Sequence, residues 1–163
     1  MDRDRRLRDQ LVLLLRGGSA HMGFAAAVAD FPEALINARP PNVGYTFWHL
    51  LEHLRLTQAD ILEYVTSPEY RERAWPEAYW PAKDARATMR EWLESVAAFR
   101  RDLEALVAVV SDVGTDLFGA VPSSGEHTVL REALLVADHN AYHVGELGIL
   151  RQVAAAWGRP RTA

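Results

Sequence analysis

Two segments of this chain each place a pair of histidines one helical turn apart. "FWHLLEHLRLTQADIL" holds His49 and His53 with Glu52 between them, and "LLVADHNAYHVGELGIL" holds His139 and His143, followed by Glu146. Side chains at i and i+4 of an α-helix share one face, so either pair can offer two neutral nitrogens to one cation. A third ligand would come from another helix. Val136, Leu147 and Leu150 share the face of His139 and His143, which turns that pair toward the interior. Helical bundles commonly build their metal sites there, from side chains on facing helices.

The same spacing has a second reading. A buried imidazole with both nitrogens hydrogen-bonded is an ordinary structural residue, and Glu52 and Glu146 stand close enough in sequence to be its partners. HxxxH by itself is a short motif. Its protease form needs Glu directly after the first histidine, and Asn140 occupies that place. A carboxylate-bridged di-iron centre wants Glu-x-x-His on two helices, whereas this chain has the reverse order, His49-x-x-Glu52 and His143-x-x-Glu146. On spacing alone, metal ligands and hydrogen-bonded core histidines both stay open.

Other chemistry is poorly supplied. There is no cysteine, which excludes disulfides, thiolate metal sites and a cysteine nucleophile. "SSG" at 123–125 reads as a turn rather than a nucleophile elbow, and no glycine-rich loop opens a helix to cradle phosphate. Asp138 adjoins His139, but neighbours on a helix face different ways, so it belongs to the surface. His21 and His127 stand alone and suit surface or hydrogen-bonded core positions.

The elements that must position these residues follow from hydrophobic period. Four segments show helical spacing and none alternates as a strand. The first runs from about residue 3 to 30 with Leu7, Leu11, Leu14 and Leu15 on one side, and Gly17-Gly18 kinks or breaks it. "ARPPNVGY" is a loop. The second helix spans about Thr46 to Val65 and closes at Pro68. The Pro- and Trp-rich "YRERAWPEAYWPAK" reads as an ordered loop, whose Trp75, Tyr79 and Trp80 are large enough to wall a pocket. A third helix runs from about Asp84 to Ser111, with Trp92, Val96, Phe99, Leu103 and Leu106 tracing one face. The last spans about Thr128 to Ala156, with Gly158 and Pro160 as stop signals.

This pattern predicts an all-α, up-and-down four-helix bundle forming a single domain over residues 1–163. Its two longer ordered loops, 66–82 and 112–127, are expected to pair at one end as a lid. The net charge of −4, with Lys83 the one lysine and no basic patch interleaved with aromatics, argues against nucleic acid as a partner. Arginines precede an apolar run near the N-terminus, but the run is five residues long and acids are mixed with the arginines. The segment therefore reads as an amphipathic helix rather than a signal peptide. No apolar stretch approaches a bilayer span, so no membrane partner is expected and the cytoplasm is the expected location.

The order "HLLEHLRLTQADIL", then "YW" and a proline, then "LREALLVADHNAYHVGEL" ahead of a terminal Trp resembles the DinB-like superfamily, which takes in the YfiT group of metal-dependent hydrolases. The likeness covers nearly the whole chain. It implies a four-helix bundle in which one histidine of the second helix and two of the fourth bind a divalent metal, often zinc or nickel, with iron or manganese as alternatives. By position, His53 matches the helix-two ligand because it precedes "LRLTQAD", and His139 and His143 match the other two. His49 falls on no ligand position and is a pocket or packing residue. Asn140 and Tyr142 agree with the "HNAYH" pattern, and Glu146 stands where relatives often carry Gln, leaving its role open between ligand and support. His49, Tyr142, Glu146 and Trp80 are the candidates to line a pocket.

Some relatives activate low-molecular-weight thiols for transfer to electrophiles, so the resemblance implies a thiol-transferase or hydrolase acting on a small molecule. The competing reading is a non-enzymatic stress-response protein that binds metal or ligand, paired as a homodimer. Whether the chain is an enzyme stays open at this level.

Overall fold

Short polar side chains decide where the long helices begin. The computed structural model describes residues 2–157. Helix α1 (Arg3–Arg16) is capped by Asp2, whose carboxylate accepts from the Asp4 amide at 3.2 Å. The helical stretch expected over 3–30 is broken rather than kinked. Gly17 and Gly18 take φ of 65° and 81°, a region that any Cβ would disfavour, and only a short helix α2 (Phe24–Val28) follows. Helix α3 (Phe47–Thr66) starts at Thr46, whose hydroxyl accepts from the His49 amide at 3.1 Å.

Helix α4 (Met89–Ser111) begins later than the expected Asp84. The Asn37 side chain holds both backbone groups of Ala87, donating to its carbonyl at 2.7 Å and accepting from its amide at 2.8 Å. Those groups are then unavailable for helix. Thr88 and Glu91 close a reciprocal capping box immediately after. Helix α5 (Val129–Val153) is capped by Thr128 and ends before the expected Ala156, where Ala155 adopts φ of 51°. The stop signals at Gly158 and Pro160 lie outside the described residues.

Helix α3 packs along α4 and α5, and α1 packs along the same two from the other side. Leu50, Leu51 and Leu54 of α3 meet Trp92, Phe99 and Leu106 of α4 and Val136 and Leu147 of α5 in one buried cluster. Phe24 stacks on Phe99 at 4.0 Å and seats α2 on that core. Among the described residues there is no strand, only an isolated antiparallel bridge between Ala120 and Thr128. The fold is all-α. No described helix is long and apolar enough to cross a membrane.

Asn140 and Arg151 each make buried polar contacts that cross between elements. The Asn140 amide donates to the Gln58 side-chain carbonyl at 2.9 Å, and Gln58 donates to the Phe99 carbonyl at 2.7 Å, joining α5, α3 and α4. Arg151, 1% exposed, donates to the carbonyls of Ala27, Ala29 and Ala156 and lies 3.8 Å from the Trp157 ring centroid. A buried guanidinium needs such acceptors, and through them it ties the α2 region to the end of α5.

The two long connections both reach Tyr64 near the end of α3, away from the histidines. Ser123 donates to the Tyr64 carbonyl at 3.3 Å, the Tyr64 hydroxyl pairs with His127 Nδ1 at 3.0 Å, and the Tyr64 ring contacts Tyr70. Tyr64 stands about 16 Å along α3 from His53 at 1.5 Å per residue. Only the first connection returns along α3, bringing Tyr79 and Trp80 back toward the helix's N-terminal half.

The capping box yields a first prediction. Thr88→Ala should lower unfolding stability by about 1 kcal/mol in urea denaturation followed by circular dichroism. A loss indistinguishable from zero would mean that Asn37 alone sets the start of α4.

Candidate metal centre

His53 from α3 and His139 and His143 from α5 converge where those helices pack, and their candidate ligand atoms all lie within 4.8 Å of one another. The i, i+4 spacing puts both α5 imidazoles on the side facing α3. Their rings sit 4.6 Å apart, and each lies within 5.0 Å of the His53 ring. His53 is buried, and the other two are half-buried.

Each side of the cluster fixes a ring through Nδ1. The His53 Nδ1 lies 2.9 Å from the Tyr79 carbonyl. A carbonyl only accepts, so Nδ1 carries the hydrogen and the lone pair is left on Nε2. The His143 Nδ1 donates to Glu146 Oε2 at 2.7 Å, and Glu146 Oε1 accepts from the Tyr45 hydroxyl. Metal-ligating histidines are commonly oriented in this way, by a carboxylate or carbonyl on the far nitrogen. Trp80 completes the hold on His53 by stacking on its imidazole at 4.0 Å and 6°.

The Nε2 atoms of His53 and His139 stand 3.2 Å apart. Two nitrogens at that distance share either one hydrogen or a cation lying between them. Tetrahedral ligands about 2.05 Å from a zinc ion are about 3.3 Å from each other, so His53 and His139 are spaced as two ligands of a small divalent cation would be, with His143 close enough to be a third. Three nitrogens from three side chains leave coordination positions for a small molecule.

Burial lowers the basicity of His139 and His53. His139 falls to about 4, first because it is desolvated and then because His143 and His53 would place positive charge beside it. Burial also lowers His53, against the Tyr79 carbonyl bond, which favours the proton. For Glu146, burial pushes the carboxyl up, but the hydrogen bonds from His143 and Tyr45 outweigh it and hold the group below its ordinary value. Tyr45 is raised by burial and then by the Glu146 carboxylate it faces. Neutral imidazoles beside an ionised carboxylate are the state that binds a cation.

His49 is not part of the cluster. It is 3% exposed, and its Nε2 lies 2.9 Å from the Ala85 carbonyl, so its ring faces the 81–88 segment. With Tyr45, Trp80 and Glu77 it lines a cleft of about 750 Å³. Tyr142 is largely exposed and stands with its ring 4.8 Å from His143, outside that cleft. Glu146 acts on His143 rather than joining the three nitrogens. Glu52, the other carboxylate considered as a histidine partner, pairs instead with Arg55 at 2.8 Å.

Spacing does not reveal Tyr45 or the Tyr79 carbonyl. Tyr45 and the carbonyl lie in the connections flanking α3, far in sequence from the groups they hold.

A cluster of three imidazoles between two helices of an all-α fold defines a helical protein with a site able to hold a metal ion. Residues 19–147 match the DinB superfamily, and the chain belongs to it. No curated protein and no solved structure matches the chain.

The lowered basicity has a measurable sign. An unfolded histidine titrates near 6.5, whereas folded His139 titrates at about 4 and His53 is also lowered. Between those values the unfolded chain binds more protons. Stability present above pH 6.5 is therefore lost as pH falls toward 4, and the lowered Glu146 acts in the same direction. Thermal melts of metal-free protein should show His139 contributing up to about 3 kcal/mol of this loss, with a shallower fall in His139→Gln. A melting temperature that stays level or rises from pH 7 to 4 would contradict this.

Proposed function

We propose that this chain is a divalent-metal-dependent enzyme of the thiol-transferase or hydrolase kind, with His53, His139 and His143 as the metal ligands. The convergence of three imidazoles, two with Nδ1 held by an acceptor so that the lone pair is left on Nε2, carries this reading. Zn²⁺ or Ni²⁺ are the proposed occupants, with Fe²⁺ or Mn²⁺ as alternatives, because such a donor set selects by geometry and supply. A divalent cation supplies Lewis acidity, which makes a water or a thiol nucleophilic near neutral pH.

The chain's own groups supply position and exclusion of water. The Tyr79 carbonyl and the Trp80 face orient His53, and Glu146, held by Tyr45, orients His143. Tyr45 and Trp80 are shared between these contacts and the cleft that His49 lines. A small molecule in that cleft would rest against the indole that covers His53. The substrate class proposed is a low-molecular-weight thiol and its electrophilic acceptor. Pairing of two copies belongs to the same reading, supported by exposed Tyr142, Ile149 and Val153 along one side of α5, and sedimentation velocity tests it.

Purified protein should take up one Zn²⁺ or Ni²⁺ per chain. His143→Ala should lose that metal and any thiol transfer while its far-ultraviolet circular dichroism stays helical. Stoichiometric metal without turnover against a panel of thiols and electrophiles would favour a non-enzymatic metal-binding protein. Failure to take up either ion would overturn the metal reading altogether.

A further inference from the structure

We infer that Asp60, acting through Tyr79, is the positioning group that aims His53 at the metal. The inference rests on the reading of the three histidines as ligands. Asp60 follows His53 by two helical turns on the same face of α3. Its side chain is 8% exposed, and a buried carboxylate requires partners. Oδ2 accepts from the Tyr79 hydroxyl at 2.8 Å and the Tyr70 hydroxyl at 3.2 Å, while Oδ1 lies 3.0 Å from Arg73 Nε. All three partners come from the connection between α3 and α4. Asp60 is where that connection is fastened to the helix it runs beside.

From the fastening, Tyr79 spans back toward the cluster. Its hydroxyl is on Asp60 and its carbonyl is on His53 Nδ1 at 2.9 Å. The next residue lays its indole on the same imidazole at 4.0 Å. The outer torsion of a histidine is broad and roughly two-fold, so the helix backbone alone does not select which nitrogen faces α5. The carbonyl sets the ring's rotation and the Trp80 face sets its plane. Both depend on where Asp60 holds Tyr79.

A loop anchor with no bearing on the site would lower the melting temperature and nothing else. Zinc affinity is therefore measured by competition with a chelator of known affinity, well below the melting temperature, in wild type, Tyr79→Phe and Asp60→Asn. Leu11→Ala, a core truncation on α1, serves as the control for lost stability. Tyr79→Phe should weaken zinc about tenfold, the lower end of the range for groups that orient a ligand. Asp60→Asn should weaken it further, and both should shift the visible bands of the Co²⁺-substituted protein. Leu11→Ala should melt earlier with unchanged affinity and spectrum. Affinities equal to wild type, or losses that merely track melting temperature as in Leu11→Ala, overturn the inference. If Asp60→Asn does not fold, Tyr79→Phe decides. A wild-type protein that takes up no metal instead overturns the reading of the histidines, and this inference with it.

Discussion

A neutral imidazole has one lone pair to give, and which nitrogen carries it decides what this site can do. At His53 and His143 the question is settled by acceptors on Nδ1, the Tyr79 carbonyl at 2.9 Å and the Glu146 carboxylate at 2.7 Å. With those hydrogens committed, the Nε2 lone pairs are free to meet. Burial supplies the complementary condition, since desolvation holds His53 and His139 in their neutral forms. Hydrogen bonds choose the nitrogen and the apolar surroundings remove the competing proton. Neither alone would make three imidazoles into a donor set.

These acceptors arrive by long routes through the chain. Tyr79 belongs to a connection that leaves the end of α3 and comes back beside it, and Tyr45 precedes α3 but bonds Glu146 near the end of α5. The helices bring the ring nitrogens together, while the connections determine how the rings stand. The connection from α4 to α5 has a different part. It is pinned at Tyr64 by Ser123 and His127, away from the histidines.

The helical parts of this arrangement were legible because they are periodic. His139 and His143 declare themselves by i, i+4 spacing on a face shared with Val136 and Leu147, which are buried. His49 and His53 have the same spacing, and only the family resemblance, through the "LRLTQAD" run after His53, separates them in the sequence. In the structure the Ala85 carbonyl claims His49 from a distant segment, which no spacing announces. The start of α4 misleads for a related reason. Asp84 to Ala87 contain no helix breaker, but Asn37 takes both backbone groups of Ala87. Gly17-Gly18, by contrast, acts through its own backbone, so its effect can be read in place. Contacts local in sequence were readable, and contacts that close long loops were not.

The bond between Asn140 and Gln58 bears on how firmly α3 and α5 are set against each other. Hydrophobic ridges tolerate sliding, since one leucine fills much the same space as the next. An amide pair does not, because its donor and acceptor would be stranded where water is excluded. Asn140 directly follows His139, and Gln58 sits five positions beyond His53. This bond thus works as a vernier between the two ligand-bearing helices. A slip of one residue would swing a histidine by about 100° around its helix, and the amide pair makes every such misalignment a broken hydrogen bond before it becomes a misplaced ring.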